Sequence, residues 1–425
     1  MLKILITLDC VRKDLFNLEN APNFYKGQKE WVSFENCYSH SQNTLSSHFT
    51  IFTSNYLMQH QVYSNFQPKK LPPYSMDKLL RDKGFETKAV CGISFLSKLL
   101  GNQIGQKDKR FDFNENSIFG KIKRKIFTER RKAKEVLKEA INSILKTKNK
   151  NFFIWLHLFD AHMPYYSPSN FKNFKMKKSE KKILEQLKEK EWFSPYFEEY
   201  EKKLDLEYFP KCYESAIKYI DFEMNEFFDF LKNKNYFDDS LIVLTSDHGE
   251  CLYGEHNIYC AHKKLFDETI NVPLFIKFPG KKFKNEKVSE IVEHIDIAPT
   301  VVSFINVEEK KYKGIDLKKF LEGKEKGKEF SFSEHVDNFL RSIRDKEYIF
   351  SEIVEGSENK WKMKLEKSDL FKRDGSEVFN REIEERMKKR MKDFIHKIES
   401  EKVEETEKLD GEEKIEEQLR SLGYL

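Results

Sequence analysis

Four short stretches carry side chains whose types could do chemistry: LDCVRKD at 8–14, NTLSSHFTIFTS at 43–54, FDAHMPYY at 159–166 and TSDHGECLYGEH at 245–256. Asp9, Asp247 and His248 are oxygen and nitrogen donors suited to a hard or borderline divalent cation. Thr44 offers a hydroxyl, and a hydroxyl beside such a cation loses its proton more easily and becomes a nucleophile near neutral pH. His48, His162 and His262 are candidates to bind an anionic group or to protonate a leaving oxygen. Together these are the ingredients of a metal-assisted hydrolase. Singly each signal is weak, because an Asp after a strand is most often a turn or cap and a lone threonine is usually structural.

Positioning these groups requires elements whose ends meet. Apolar strand-like runs alternate with helical patterns, which predicts an α/β fold with a central, mostly parallel sheet flanked by helices. Strands are expected at Ile4–Leu8, Thr87–Cys91, Phe152–His157, Leu241–Thr245 and Leu274–Phe278. Ligand-binding groups in open α/β sheets collect beyond the carboxyl ends of strands. Asp9 follows the first run, and Ser246-Asp247-His248-Gly249 follows the fourth.

Composition narrows the class further. In 425 residues, 76 Lys and Arg against 71 Asp and Glu leave a net charge of +5, giving no global reason to expect nucleic acid. Aromatics at 14% are too many for a disordered chain. No apolar run reaches the roughly 20 residues that span a bilayer. The short apolar start, Leu2 to Leu8, reads as a strand rather than a secretory signal. The cysteines are scattered with no CxxC pair, so reduced thiols and a cytoplasmic location are expected.

Residues 118–150 hold twelve Lys and Arg against three Asp and Glu, with Ala133, Val136, Leu137, Ala140, Ile141, Ile144 and Leu145 at helical spacing. The expectation is an amphipathic helix with a solvated basic face, the alternative being a patch for an anionic polymer or membrane surface. Residues 170–210 read as a helical insertion able to cover the site's mouth, and 381–425 as an exposed, charged helical tail. His40, His60, His157 and His335 are read as core or surface residues.

The order and wording of these blocks resemble the sulfatase family, within the alkaline phosphatase superfamily. LDCVRKD resembles the opening segment, in which an Asp after the first strand binds the metal. TLSSHFTIFTS resembles the nucleophile segment, with Thr44 at the nucleophile position and Thr53-Ser54 where Thr-Gly is usual. DAHMPY is similar to DPHxPY, placing His162 among the substrate-binding groups, and SDHGE supplies Asp247 and His248 as metal ligands. HKKLFDETINVPLFIKFPG resembles the stretch ending in VPL and PG, putting His262 where many relatives carry a substrate-contacting Lys. HIDIAPTVV at 294–302, RSIRDKEYIF, DGSEVFN and the ending LRSLGYL continue the likeness to nearly the end of the chain. The resemblance implies an alkaline-phosphatase-like fold with a catalytic domain at 1–325, a small C-terminal α+β subdomain at 326–380 and the tail at 381–425.

The departures shape the functional expectation. The family's main type converts a Cys or Ser of C/S-x-P-x-R to formylglycine. Here the segment is Thr44-Leu45-Ser46-Ser47-His48, so no formylglycine is expected, and the pattern looks more like relatives that attack phosphorus directly with Thr. Cys10 stands where many sulfatases have a second metal-binding Asp. It is read as a core thiol beside the site, the alternative being a thiolate ligand. This loss of a carboxylate favours manganese, zinc or magnesium over calcium.

The implied activity is metal-dependent cleavage of a sulfuric or phosphoric ester through Thr44, with phosphodiester, phosphomonoester or phosphonate favoured. The metal ligands are Asp9, Thr44, Asp247 and His248, and the substrate-binding groups His48, His162 and His262. Arg12 and Asp14 are expected to pair and buttress the metal loop, and His256 and His294 are candidates for a second metal. The expected substrate is a small or saccharide-linked anionic ester, with peripheral membrane contact the only membrane contact envisaged. Alternatives are a true sulfatase, a phospho-group transferase and a catalytically degenerate binding protein.

Overall fold

The computed structural model describes residues 1–63, 65, 69–104, 130–163, 165–172, 174, 208–252, 265–305, 312–335, 340–355, 364–373 and 375–401. His256 and His262, nearly all of 170–210, residues 118–129 and the end of the tail from 402 lie outside these. The main sheet has seven strands: β1 (Leu2–Leu8), β2 (Val32–Tyr38), β3 (Glu86–Cys91), β4 (Phe152–Leu158), β5 (Leu241–Ser246), β6 (Asn271–Lys277) and β7 (Lys287–Glu293). Their order is β3-β4-β1-β5-β6-β2-β7. β1 runs parallel to β4 and β5, and only β6 is antiparallel to its neighbours. All five expected strands are present. β2 and β7 are additional, and each carries charged or amide residues that break a purely apolar run.

The central strands are apolar on both faces because both are covered. Ile4, Ile6 and Leu8 of β1 point to one side, with Ile154, Leu156, Ile242 and Leu244. There they meet the helices Ala133–Lys146 and Tyr208–Asn233. The first is the predicted amphipathic helix, burying Ala133, Val136, Leu137, Ala140 and Ile144 and leaving Leu145 exposed. Leu5, Phe153, Trp155 and Val243 point to the other side. That face is covered by α1 (Thr44–Thr53), every residue of which is buried, and by the short helix Ile297–Val302.

A second, antiparallel sheet follows, in the order β11-β10-β9-β8, from β8 (Ser331–His335), β9 (Leu340–Arg344), β10 (Tyr348–Glu355) and β11 (Lys364–Lys372). The helix Arg381–Ser400 lays Met387, Met391 and Ile398 against it. The first part of the stretch expected to be an exposed tail is therefore packed, its apolar residues falling on one helical face. The second sheet grips the main body next to the site. Glu334 N–H donates to the His40 carbonyl, and Ser333 Oγ donates to the Ser39 carbonyl at 2.7 Å. Those residues begin the loop that leads into Thr44.

At the opposite end of β1, Lys3 is buried, with Nζ donating to the Val301 carbonyl at 2.6 Å. Burial pulls its pKa from 10.5 to about 7. The unfolded chain thus holds this proton up to about pH 10.5 while the folded chain releases it near 7, so the Lys3 contribution to stability rises with pH across that window and is flat below it. Urea unfolding is expected to show Lys3→Met gaining most over the wild type at or below about pH 7, with the gain shrinking toward pH 10. A difference independent of pH would show that Lys3 keeps its ordinary basicity.

Candidate active site

Register delivers the acidic pair. Leu8 of β1 lies opposite Ser246 of β5, so the next residues, Asp9 and Asp247, emerge side by side. The two turns are stitched together. Asp247 N–H donates to the Leu8 carbonyl at 3.0 Å, and Asp9 N–H to the Leu158 carbonyl at 2.9 Å. Ser246 Oγ accepts from Val11 N–H at 2.8 Å. Cys10 takes φ 61°, a left-handed conformation uncommon for this residue type. It is held there because its N–H donates to Asp247 Oδ1 at 3.1 Å and its carbonyl accepts from Tyr213 Oη at 2.7 Å. Arg12 forks onto Asp14 at 2.9 and 2.7 Å and also reaches the Glu250 carbonyl, tying the loop after β1 to the loop after β5.

Asp9, Asp247 and His248 converge, with one ligand atom from each lying within 4.8 Å of the others. Asp247 Oδ1 accepts the N–H groups of Cys10 and His248, while Oδ2 is buried and makes no hydrogen bond. Burial, followed by the charge of Asp9, pushes the Asp247 carboxyl up to about 7. Two carboxylates buried this closely favour their ionised forms only with a cation between them. His248 Nδ1 lies 3.0 Å from the Gly249 carbonyl, which can only accept, so the proton sits on Nδ1 and the lone pair on Nε2. Nε2 faces Asp247 Oδ2 at 3.6 Å and Thr44 Oγ1 at 3.4 Å. This donor set of carboxylates, imidazole and hydroxyl fits a borderline divalent metal.

Thr44 is the first residue of α1, at the positive end of the helix dipole. Leu45 N–H is capped by Asn65 Oδ1 at 2.9 Å. The helix closes at Ser54, left-handed at φ 55°, whose Oγ donates to the Ile295 carbonyl. This conformation explains why Gly is usual at that position in the resembling motif.

His48, one turn beyond Thr44, lies in the floor of the site rather than at its mouth. Trp155 Nε1 donates to Thr7 Oγ1 at 2.9 Å, Thr7 donates to His48 Nε2 at 2.9 Å, and His48 Nδ1 donates to the Thr44 carbonyl at 2.6 Å. Every member has its role fixed, since indole only donates and a carbonyl only accepts. Burial holds the His48 pKa down to about 3, so the ring is neutral. Both ring nitrogens are engaged, which differs from the expectation that His48 contacts substrate.

His162 is half-buried and near Asp9. Its ring stacks on Phe159 with centroids 4.5 Å apart, and Nδ1 donates to the Met163 carbonyl at 2.7 Å. The preceding Asp160 caps the helix Ala133–Lys146 by accepting from Ala133 N–H at 2.9 Å. His157 is fully buried, as its reading as a core residue expects, and it also faces the candidate site. Its Nε2 lies 3.0 Å from Asp9 Oδ2. The signal was parity: His157 pairs with Thr7 across β1 and β4, two residues before Asp9, and so shares its side of the sheet. His294 Nε2 lies 2.9 Å from the Ser246 carbonyl.

A mostly parallel sheet covered on both faces, with paired carboxylates and a histidine at the carboxyl ends of two adjacent central strands, is an alkaline-phosphatase-like fold. The chain belongs to the sulfatase family, whose model, described as Sulfatase, matches residues 4–307. A second, described as N-sulphoglucosamine sulphohydrolase, C-terminal, matches residues 254–402. A sulfatase of Formosa agariphila is 34% identical over 92 residues, 22% of this chain and 18% of that protein. The chain thus aligns with under a fifth of that relative's length. The phosphonate monoester hydrolase SpPMH of Silicibacter pomeroyi has the same fold, with TM-score 0.65, 17% identity and coverage of 92% of this chain and 94% of that one. So does a protein solved with its substrate D-glucosamine-2-N,6-O-disulfate, with TM-score 0.68, 17% identity and coverage of 93% and 97%.

A Cβ on Gly249 would lie 2.1 Å from the Glu268 carbonyl oxygen, and backbone cannot yield cheaply. Gly249→Ala is therefore expected to displace the Asp247-His248 turn, costing about 1–3 kcal/mol of stability. Calorimetric titration with manganese should also show affinity lowered roughly tenfold or more; wild-type affinity and stability would remove this turn from the site. Thr7→Val strands Trp155 Nε1 and His48 Nε2, and urea unfolding should register a loss of about 1–3 kcal/mol. Thr7→Ser should recover most of it, and equal losses in the two variants would count against the chain of hydrogen bonds.

Proposed function

We propose that this chain is a metal-dependent hydrolase of sulfuric or phosphoric esters, with Thr44 as nucleophile and a preference for phosphorus esters. The observation that carries the proposal is the position of Thr44 Oγ1. It lies at a helix N-terminus, 3.4 Å from His248 Nε2, beside the buried Asp9–Asp247–His248 group. Asp9, Thr44, Asp247 and His248 would hold the metal. When bound, it supplies positive charge that lowers the pKa of the Thr44 hydroxyl and offsets charge on the ester's non-bridging oxygens.

Thr44 Oγ gives up its proton to solvent and attacks the phosphorus or sulfur of the bound ester, forming one new bond as the bond to the leaving oxygen breaks and that oxygen departs as an anion or takes a proton. The N-terminus of α1 stabilises the anionic group. His162 Nδ1 is occupied by its hydrogen bond to the Met163 carbonyl, so Nε2 is the nitrogen that, once protonated, steadies the ester oxygens or assists the leaving group. His262, outside the described residues, is proposed for the same work. Water then displaces Thr44, which regains its proton, and releases the oxyanion: inorganic phosphate or sulfate from a monoester, a phosphomonoester from a diester, a phosphonate from a phosphonate monoester. His48 acts as a positioning residue, fixing the backbone of Thr44 from below. His157 does the same for Asp9.

The absence of a Cys or Ser at position 44 favours phosphorus over sulfur, because formylglycine chemistry has no precursor there. Substrates would be small or saccharide-linked anionic esters. No helix among the described residues is long and apolar enough to cross a membrane. None of the five described cysteines forms a disulfide, consistent with the cytoplasmic location we propose.

Metal-loaded protein is expected to cleave aryl phosphodiesters, phosphomonoesters or phosphonate monoesters faster than an aryl sulfate. Thr44→Ala should lower turnover by roughly three orders of magnitude or more while keeping the circular dichroism of the wild type and part of its metal content. A folded, metal-loaded Thr44→Ala protein with most of its activity would remove Thr44 from the chemistry. Cleavage of sulfate alone would overturn the phosphorus preference.

A further inference from the structure

The short stretch 265–271 packs against both halves of the site. Gly249, next to His248, donates its N–H to the Thr269 carbonyl at 2.7 Å, and the Glu268 carbonyl lies so close to Gly249 that it leaves no room for a Cβ. Ser39, at the start of the loop into Thr44, donates its N–H to the Ile270 carbonyl at 2.8 Å, and its Oγ lies 2.7 Å from the Asp247 carbonyl. Lys13, in the loop after β1, donates its N–H to the Asn271 carbonyl at 3.2 Å. The loops that carry Asp9, Asp247-His248 and Thr44 therefore all rest on one stretch of backbone.

That stretch is gripped by two arginines of the C-terminal sheet. Arg344 of β9 is fully buried. Its Nη2 donates to the Leu265 carbonyl at 2.7 Å and its Nη1 to Asp267 Oδ1 at 3.1 Å. Arg373, just past β11, donates through Nη2 to Asp267 Oδ2 at 3.0 Å and through Nη1 to Asn36 Oδ1 of β2 at 2.8 Å. Both guanidiniums also lie over the ring of Tyr38, 4.9 and 5.6 Å from its centroid, and Tyr38 immediately precedes Ser39. One carboxylate is thus shared by two cations from different strands, one oxygen to each. Charge-assisted bonds of this kind are strong and demanding in geometry. A buried guanidinium is unfavourable unless paired, so Arg344 dictates where Asp267 and the Leu265 carbonyl must sit.

We propose that Asp267, Arg344 and Arg373 are positioning residues for the reaction, a clamp through which the C-terminal sheet sets the Asp247-His248 turn against the loop that enters Thr44. None of the three touches the acidic pair or Thr44; they act through the backbone of 265–271. The consequence for metal binding rests on the centre proposed above, whereas the clamp itself is testable without metal.

Hydrogen exchange of the full-length protein, read by mass spectrometry on peptides covering 36–42 and 245–252, tests it alongside manganese titration and steady-state kinetics. In Arg344→Gln both peptides are expected to exchange roughly tenfold faster than in the wild type. Manganese affinity should fall roughly tenfold, and at saturating manganese kcat should drop while KM stays within about twofold. The control is Met391→Ala, which opens the C-terminal sheet's own core away from the clamp. It should lose stability in urea yet keep wild-type exchange in both peptides and wild-type manganese affinity. Wild-type exchange in Arg344→Gln, or equal acceleration in Met391→Ala, overturns the clamp. Faster exchange in Arg344→Gln with unchanged manganese affinity and kcat overturns its role in positioning the site. A wild type that binds no manganese would overturn the metal-centre reading and with it that role, while the exchange rates would still decide whether the clamp holds the two loops. If Arg344→Gln folds poorly by circular dichroism, the more exposed Arg373 decides: faster exchange of both peptides in Arg373→Gln supports the clamp, and wild-type exchange overturns it.

Discussion

Two carboxylates buried side by side at the ends of adjacent parallel strands are the costliest feature of this molecule. Asp9 and Asp247 are both fully buried, and strand register brings them together. Removing a charged carboxylate from water is unfavourable unless it is paired or bound to a cation, and a second carboxylate alongside raises the cost. Much of the surrounding structure answers this constraint. Backbone N–H groups of Cys10 and His248 are aimed at Asp247 Oδ1, and His157 is held against Asp9. The remaining compensation fits a bound divalent cation, which explains why oxygen and nitrogen donors come together here.

The floor of the site is a different solution to burying polar atoms. Trp155, Thr7 and His48 lie between two layers of apolar residues, yet each links to the next until the chain reaches the backbone at Thr44. A satisfied chain of this kind rigidifies what it touches. The second sheet contributes from the other side by gripping the loop at Ser39 and His40. Beneath that contact, Glu293 accepts from Phe332 N–H and pairs with Lys328. Burial is the largest single influence and would raise the Glu293 pKa, but the charge of Lys328, the contact with His40 and the hydrogen bonds from both together outweigh it, and the carboxyl is held at about 2. The C-terminal sheet and the loop leading into Thr44 are thus joined through a cluster in which the Glu293 carboxylate stays ionised across the physiological range.

The features legible in sequence were those carried by local pattern. Apolar runs revealed β1 and β3 to β6, and the spacing from Ala133 to Leu145 revealed a helix, because burial on both faces or on one stripe leaves a direct signature. β2 and β7 lacked it, since Glu35, Asn36, Ser289 and Glu290 interrupt their apolar residues and the pairing between them is irregular. Asp9 and Asp247 stood out because each follows a strand. His157 and the true surroundings of His48 did not, because both depend on which strands are neighbours and in what register. That information is long-range: Thr7, His48, Trp155 and His157 are scattered over some 150 residues and become one network only when β4 pairs with β1. The left-handed conformations of Cys10 and Ser54 were equally hidden, since neither residue type announces such a turn.

Covalent attack by Thr44 is the central mechanistic claim, and its stereochemical consequence can be read directly. The measurement is the configuration at phosphorus after hydrolysis of a chiral, oxygen-isotope-labelled phosphorothioate ester by the metal-loaded protein. Attack by Thr44 followed by attack of water inverts the centre twice, so net retention is the predicted result. Net inversion would mean that water attacks the ester directly and would contradict the nucleophilic role of Thr44.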